Sequence, residues 1–278
     1  MRSMDAKGRR NLVQRVASAL VLLPAAAWLA WLGGWPFALL VAVAAGVCAA
    51  ELLGMWGPLA GAERLGVAVA ALVPLLASVA RPGELLPPGA GPVLAVATVA
   101  LLSLLLLRHA DMAAVPARAG RIALAWLYVG LLPASVVALR RDVGAAGVAM
   151  LFAVTFANDT AAYFAGHLLG RHRLYPSVSP NKTWEGFAGG AAGSVAGALA
   201  VRAWLLPGLG LGAALVIGVG GAFLGPLGDL SESLLKRAAG VKDSSRLIPG
   251  HGGLLDRIDA LLFVAPWIYV VVIALAVR

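Results

Sequence analysis

Between residues 12 and 277 the chain is one apolar run after another, each close to the length a helix needs to cross a bilayer. A hydrocarbon core about 30 Å thick calls for about 20 mostly apolar residues per helix. Backbone inside lipid must satisfy its own hydrogen bonds, so open runs of this kind fold as helices. Nine runs qualify: residues 12–32, 35–54, 65–80, 91–107, 122–139, 145–168, 184–205, 211–230 and 254–277. The fold class expected is therefore all-α and polytopic, with about nine transmembrane helices. Composition agrees. The 278 residues are 61% hydrophobic and 13% charged, against about 25% charged for an average soluble domain, too few charges to cover a soluble fold of this size. An ordinary soluble enzyme, a disordered chain and a disulfide scaffold are excluded, the last also because Cys48 is the single cysteine.

Arg2, Lys7, Arg9, Arg10 and Arg15 precede or open the first run. The run is long and a second span follows at once, which favours a retained first helix over a cleaved leader, with the N-terminus cytoplasmic. With nine spans in that orientation, most of the 22 Lys and Arg residues fall on the cytoplasmic side, as the positive-inside rule requires. The polar loops 167–183 and 236–253 then share that face, so a polar site is expected to open to the cytoplasm from a multi-pass protein of the cell membrane. The net charge of +9 is read as topology and attraction to anionic lipid, with no nucleic-acid partner.

Acidic residues divide the chain. Seven of the 13 Asp and Glu lie between Asp159 and Asp259, several inside or at the ends of expected spans. A carboxylate at the bilayer centre costs about 2.5–3.5 kcal/mol on insertion scales, so such groups face polar cavities, pair with cations or hold metal. The expectation is a scaffold in residues 1–140 and a catalytic region in 141–278. Glu51, the lone comparable acid of the first part, is read as reaching the headgroups.

Spacing sharpens the second part. Asp229, Glu232, Ser233 and Lys236 share one helix face, and Asp256 and Asp259 stand three apart at the start of the last span. Hard oxygen ligands suit Mg²⁺, which takes one or two carboxylates plus phosphate oxygens and water. Lys and Arg suit phosphates. Ser179-Pro180-Asn181-Lys182-Thr183 runs directly into a helix, with Thr183 as expected N-cap and Glu185 in the first turn. The competing reading is a set of structural ion pairs, Asp229 or Glu232 with Lys236 and Asp256 with Arg257 or an arginine of another helix. Gly189, Gly193 and Gly197 form a stripe that serves either close packing within one subunit or a dimer interface.

Two blocks resemble the phosphatidate cytidylyltransferase (CDP-diacylglycerol synthase) family. One is Ser233-Leu234-Leu235-Lys236-Arg237, then Lys242-Asp243, then Pro249-Gly250-His251-Gly252-Gly253-Leu254-Leu255-Asp256-Arg257-Ile258-Asp259. The other runs from Asn158-Asp159 through Tyr163, Gly166 and Gly170-Arg171 to Glu185-Gly186. The resemblance covers roughly the second half and implies transfer of CMP from CTP to phosphatidic acid, giving CDP-diacylglycerol and pyrophosphate, with Mg²⁺ as cofactor and a homodimer as assembly. It implies Asp229 and Asp256 as first metal ligands, with Asp259 as ligand or support. Three roles stay open for Asp159: binding a second cation, orienting Tyr163 or pairing with Lys182. Lys236, Arg237, Lys242 and Lys182 would neutralise phosphate. Asp243 and His251 complete the catalytic group, His251 without a general-base role because a phosphate nucleophile is already ionised. Ser179, Asn181, Thr183, Ser233 and Arg257 would contact substrate. A transporter coupled to H⁺ or Na⁺ and a CTP-dependent lipid-alcohol kinase are the rival readings. The kinase would leave CDP in place of pyrophosphate.

Overall fold

The computed structural model describes residues 24–107, 111–176, 178–248 and 252–276. Helical residues 24–32 lead into α1 (Gly34–Gly54), α2 (Gly61–Ser78) and α3 (Ala90–Leu107). A 3₁₀ turn (Met112–Ala114), α4 (Val115–Ala125), a π-helical turn (Trp126–Leu131) and α5 (Leu132–Asp142) follow end to end as one rod. After α6 (Ala145–Leu169) come β1 (Arg173–Tyr175), β2 (Ser179–Thr183), α7 (Trp184–Trp204), α8 (Leu211–Ala238) and α9 (Leu255–Ala276).

Among the described residues, seven helices are long and apolar enough to cross a membrane: α1, α2, α3, the rod Met112–Asp142, α6, α8 and α9 as far as Leu275. The chain is thus a helical multi-pass membrane protein, with two differences from nine spans. The first expected span, 12–32, lies mostly outside the described residues. The seventh forms as the helix α7, but Gly and Ala dominate it and Glu185 and Arg202 stand near its ends, so it is not among the seven. Two other boundaries move. The rod begins at Met112, well before residue 122, with Pro116 in the first turn of α4, where a missing N–H costs nothing. The helix α8 continues past residue 230 to Ala238, so Asp229, Glu232 and Lys236 sit on continuous helix.

The fold is all-α as expected, with one addition: the loop 167–183 contains a hairpin. Strand β1 pairs antiparallel with β2, Arg173 opposite Thr183 and Tyr175 opposite Ser179, with an irregularity between. Pro180 is tolerated because both strands of a two-stranded ribbon are edges.

Small residues set the helix spacing around the site. A Cβ at Gly193 would strike the Ala157 carbonyl and the Ala161 side chain, and one at Gly197 the Ala153 carbonyl, so the stripe on α7 lies flat against α6. Of its two readings, packing within the subunit is the one this structure uses. Gly228 does the same between α8 and α9, where an added Cβ would stand 2.7 Å from the Asp259 carbonyl oxygen. That approach makes Asp229 and Asp259 neighbours. Leu139, Met150, Val154, Ile217, Val264 and Ile268 fill the core among α5, α6, α8 and α9. A second core joins Leu52, Ile122 and Val129 to Leu255 and Leu262, so the start of α9 is plugged into the N-terminal helices.

Candidate active site

A cavity of about 680 Å³ opens between α6, the hairpin and α8. Asn158, Asp159 and Tyr163 contribute from α6, Asn181 and Lys182 from β2, and Asp229 from α8. The hairpin aims Lys182. Thr183 caps α7 by accepting from the Gly186 N–H (3.1 Å), as the sequence suggested, and the Trp184 N–H donates to the His172 carbonyl (2.9 Å). Glu185 accepts from the Arg171 and His172 N–H groups and meets His172 Nδ1 at 2.6 Å, contacts that hold its carboxyl down to about 2. Anchored at both ends, β2 extends Lys182 to Asp229 Oδ2 (2.6 Å), with a longer contact to the Pro226 carbonyl (3.4 Å).

Three carboxylates gather here. Asp159, Asp229 and Asp259, from α6, α8 and α9, lie within electrostatic reach of one another. Ser233 Oγ stands 3.4 Å from Asp229 Oδ1. Asn158 lies beside Asp159, 1% exposed, and neither polar atom of its amide has a protein partner. Buried amides are normally hydrogen-bonded.

A second polar cluster lies one turn further along α8. Lys236 pairs with Glu232 and with Asp256 Oδ1 (2.6 Å). The other oxygen, Asp256 Oδ2, accepts from the Gly253 N–H (2.8 Å), the Ser244 N–H (3.0 Å) and Ser244 Oγ (2.9 Å). Ser244 Oγ also stands 3.1 Å from Glu51 Oε2, so one hydroxyl hydrogen is shared between two carboxylates.

The sequence-derived residues therefore divide. Asp159, Asn181, Lys182, Thr183 and Asp229 line one cavity, with Asp259 and Ser233 beside them. Lys236 and Asp256 belong to the ion cluster. Of the expected ion pairs, Glu232–Lys236 forms, whereas Asp229 turns to Lys182 and Asp256 to Lys236 rather than Arg257. Arg237, Lys242, Asp243 and Arg257 are exposed, with Arg237 donating to the Val241 carbonyl. Ser179 is a half-buried strand residue. His251 lies outside the described residues. Tyr163 stacks on His167. Glu51 is corrected: it is 7% exposed and bonded to protein, not extended to headgroups. Its signal was an acid in an apolar helix; Asn158 was visible only as the start of the second family-like block, and Ser244, whose contacts arise only in three dimensions, carried none.

Among the described residues no three His, Cys, Asp or Glu side chains stand close enough to share one ion. Mg²⁺ asks for less, one or two protein carboxylates with the remainder from phosphate and water. Asp159 and Asp229 meet that requirement: both open on one cavity and both are hard oxygen donors. Asp256 fits less well, because protein donors occupy both its oxygens.

A family model described as "Cytidylyltransferase family" matches residues 13–275. A phosphatidate cytidylyltransferase of Brucella suis biovar 1 (strain 1330) is 45% identical over 144 residues, 51% of this chain and 53% of that protein. One of Staphylococcus saprophyticus is 43% identical over 133 residues, 48% of this chain and 51% of that protein. One of Staphylococcus aureus (strain COL) is 43% identical over 130 residues, 44% and 47% respectively. The matched stretch spans about half the length of these curated relatives.

Proposed function

Because this chain belongs to the cytidylyltransferase family, we propose that it transfers the CMP unit of CTP to phosphatidic acid in phospholipid synthesis, releasing pyrophosphate. An oxygen of the lipid phosphate attacks the α-phosphorus of CTP. The bond from that phosphorus to the oxygen bridging to the β-phosphate breaks, and pyrophosphate leaves in line. No alcohol needs deprotonating.

The observation that carries this reading is the single cavity lined by Lys182, Asp159, Asp229 and Asn158. Lys182 neutralises phosphate and is freed from Asp229 as substrate enters. Asn181 and Thr183 stand where β2 meets the α7 N-terminus, whose N–H groups favour anions. Asp159 and Asp229 would hold Mg²⁺, with Asp259 behind them, and a bound ion there would supply charge neutralisation between two polyanionic substrates. Lys242, Arg237 and Arg257 are exposed and would meet phosphate from the solvent side. The reading places the cavity mouth on the cytoplasmic face of the cell membrane, with residues 141–278 as catalytic region on a scaffold of 1–140. A homodimer rests on family resemblance alone, since the glycine stripe is used inside the chain.

The test is incubation of purified protein with α-labelled CTP, phosphatidic acid and Mg²⁺. Label in CDP-diacylglycerol with one pyrophosphate per turnover is the expected result. CDP with a phosphorylated lipid alcohol, or no reaction in any combination, would remove the proposal.

A further inference from the structure

Glu51 lies in α1, in the half of the chain read as scaffold, yet among the described residues its carboxylate hydrogen-bonds only to the other half. It reaches across to the segment preceding α9. Oε1 accepts from Ser245 Oγ (2.6 Å) and the Leu254 N–H (3.0 Å). Oε2 accepts from the Leu255 N–H (2.8 Å) and faces Ser244 Oγ (3.1 Å). Two oxygens with about four lone-pair sites thus meet four donors. Leu254 and Leu255 supply N–H groups at the start of α9 that have no acceptor within the helix, so Glu51 caps α9 from another helix, where the dipole also favours a negative charge.

The capped segment is the one that holds Asp256. Ser244 is buried between Glu51 and Asp256, whereas Lys242, Asp243 and Arg246 on either side of it are exposed. Gly253 is required by the same geometry, since a Cβ there would stand 2.7 Å from Glu51 Oε2. Burying a carboxylate in a membrane helix is costly. Here the cost is met by the four hydrogen bonds that order the segment joining α8 to α9.

We infer that Glu51 is a positioning residue: it locks Ser244–Ser245 and Leu254–Leu255 in register, thereby fixing the Lys236–Asp256 pair and the exposed Lys242–Asp243 stretch for phosphate chemistry. The kinetic part rests on the function proposed above; the structural part does not.

The experiment compares Glu51→Gln, Glu51→Asp, Glu51→Ala and Ser245→Ala in the full-length protein, by amide hydrogen exchange and by steady-state kinetics with CTP and phosphatidic acid. Glu51→Gln replaces an acceptor by a donor facing donors. Exchange at Leu254 and Leu255 should rise about tenfold or more while α6 is unchanged, as for loss of a local anchor. Displacement of reacting groups by about an ångström predicts a fall in kcat of roughly 10- to 100-fold with KM for CTP nearly constant. Glu51→Asp, which keeps the charge on a shorter arm, should fall between wild type and Glu51→Ala. Where Glu51 variants fail to fold, Ser245→Ala decides, since it removes one donor of four: it should show the same two changes at smaller amplitude. Unchanged exchange at Leu254 and Leu255, or unchanged kcat in a folded Glu51→Gln or Ser245→Ala protein, overturns the inference. Wild-type protein without cytidylyl transfer would refute the proposed function, while exchange alone would still decide whether Glu51 holds the segment.

Discussion

Lys236→Met removes one ammonium group from between two carboxylates. The three side chains are nearly sealed, with relative exposures of 11% for Lys236, 1% for Glu232 and 5% for Asp256. At an effective dielectric constant of about 20, unit charges 2.6 Å apart attract by roughly 6 kcal/mol before desolvation is subtracted. Breaking such a buried pair from one side costs about 3–5 kcal/mol, because the abandoned charge stays buried. Asp256 keeps the N–H groups of Ser244 and Gly253. Glu232 has no comparable donors, so it carries most of the loss. At about 2–4 °C per kcal/mol for a chain of 150–250 residues, the melting temperature should drop by roughly 6–20 °C. The assay is thermal unfolding in detergent, followed by tryptophan fluorescence. Glu232→Gln added to Lys236→Met neutralises the stranded charge and should recover at least half of the drop without restoring turnover. A shift below about 2 °C, the size expected of a solvent-screened surface pair, would refute the reasoning. So would a double variant no more stable than the single one.

Two further outcomes follow from the same geometry. Lys182→Met breaks a pair that is partly open to solvent, with side chains 24% and 42% exposed, so stability should change by only about 0.2–1 kcal/mol. On the proposed function, removing this cation should nevertheless cost about 10²–10³ in kcat, read in the pyrophosphate-release assay. Gly193→Leu forces a side chain against the Ala157 carbonyl and should destabilise by at least about 1–3 kcal/mol, lowering the melting temperature and opening the cavity wall between α6 and α7.

How far the sequence could be read depended on which property was local. Apolar length is local, and it located most of the spanning helices within a few residues. Thr183 as N-cap was legible because a cap is written in neighbouring residues. The hairpin was not, because Arg173–Tyr175 and Ser179–Thr183 are short and polar and hold together only by pairing with each other. Gly and Ala, counted as apolar length in α7, serve in this helix to let α6 approach.

The acids show the division most clearly. That the second half gathers carboxylates, lysines and a polar loop before a helix was determined by the one-dimensional chain, because each such residue in an apolar run carries its own desolvation cost wherever it lands. Which carboxylate serves which partner was decided only by the tertiary structure. The crossing of α8 and α9 at Gly228 turns Asp229 toward Lys182 and leaves Asp256 to Lys236. The long-range contact of Glu51, some two hundred residues from its four donors, depends on α9 being seated among the N-terminal helices. Burial sets the need for a partner, and only the packing of helices determines who stands within hydrogen-bond distance to meet it.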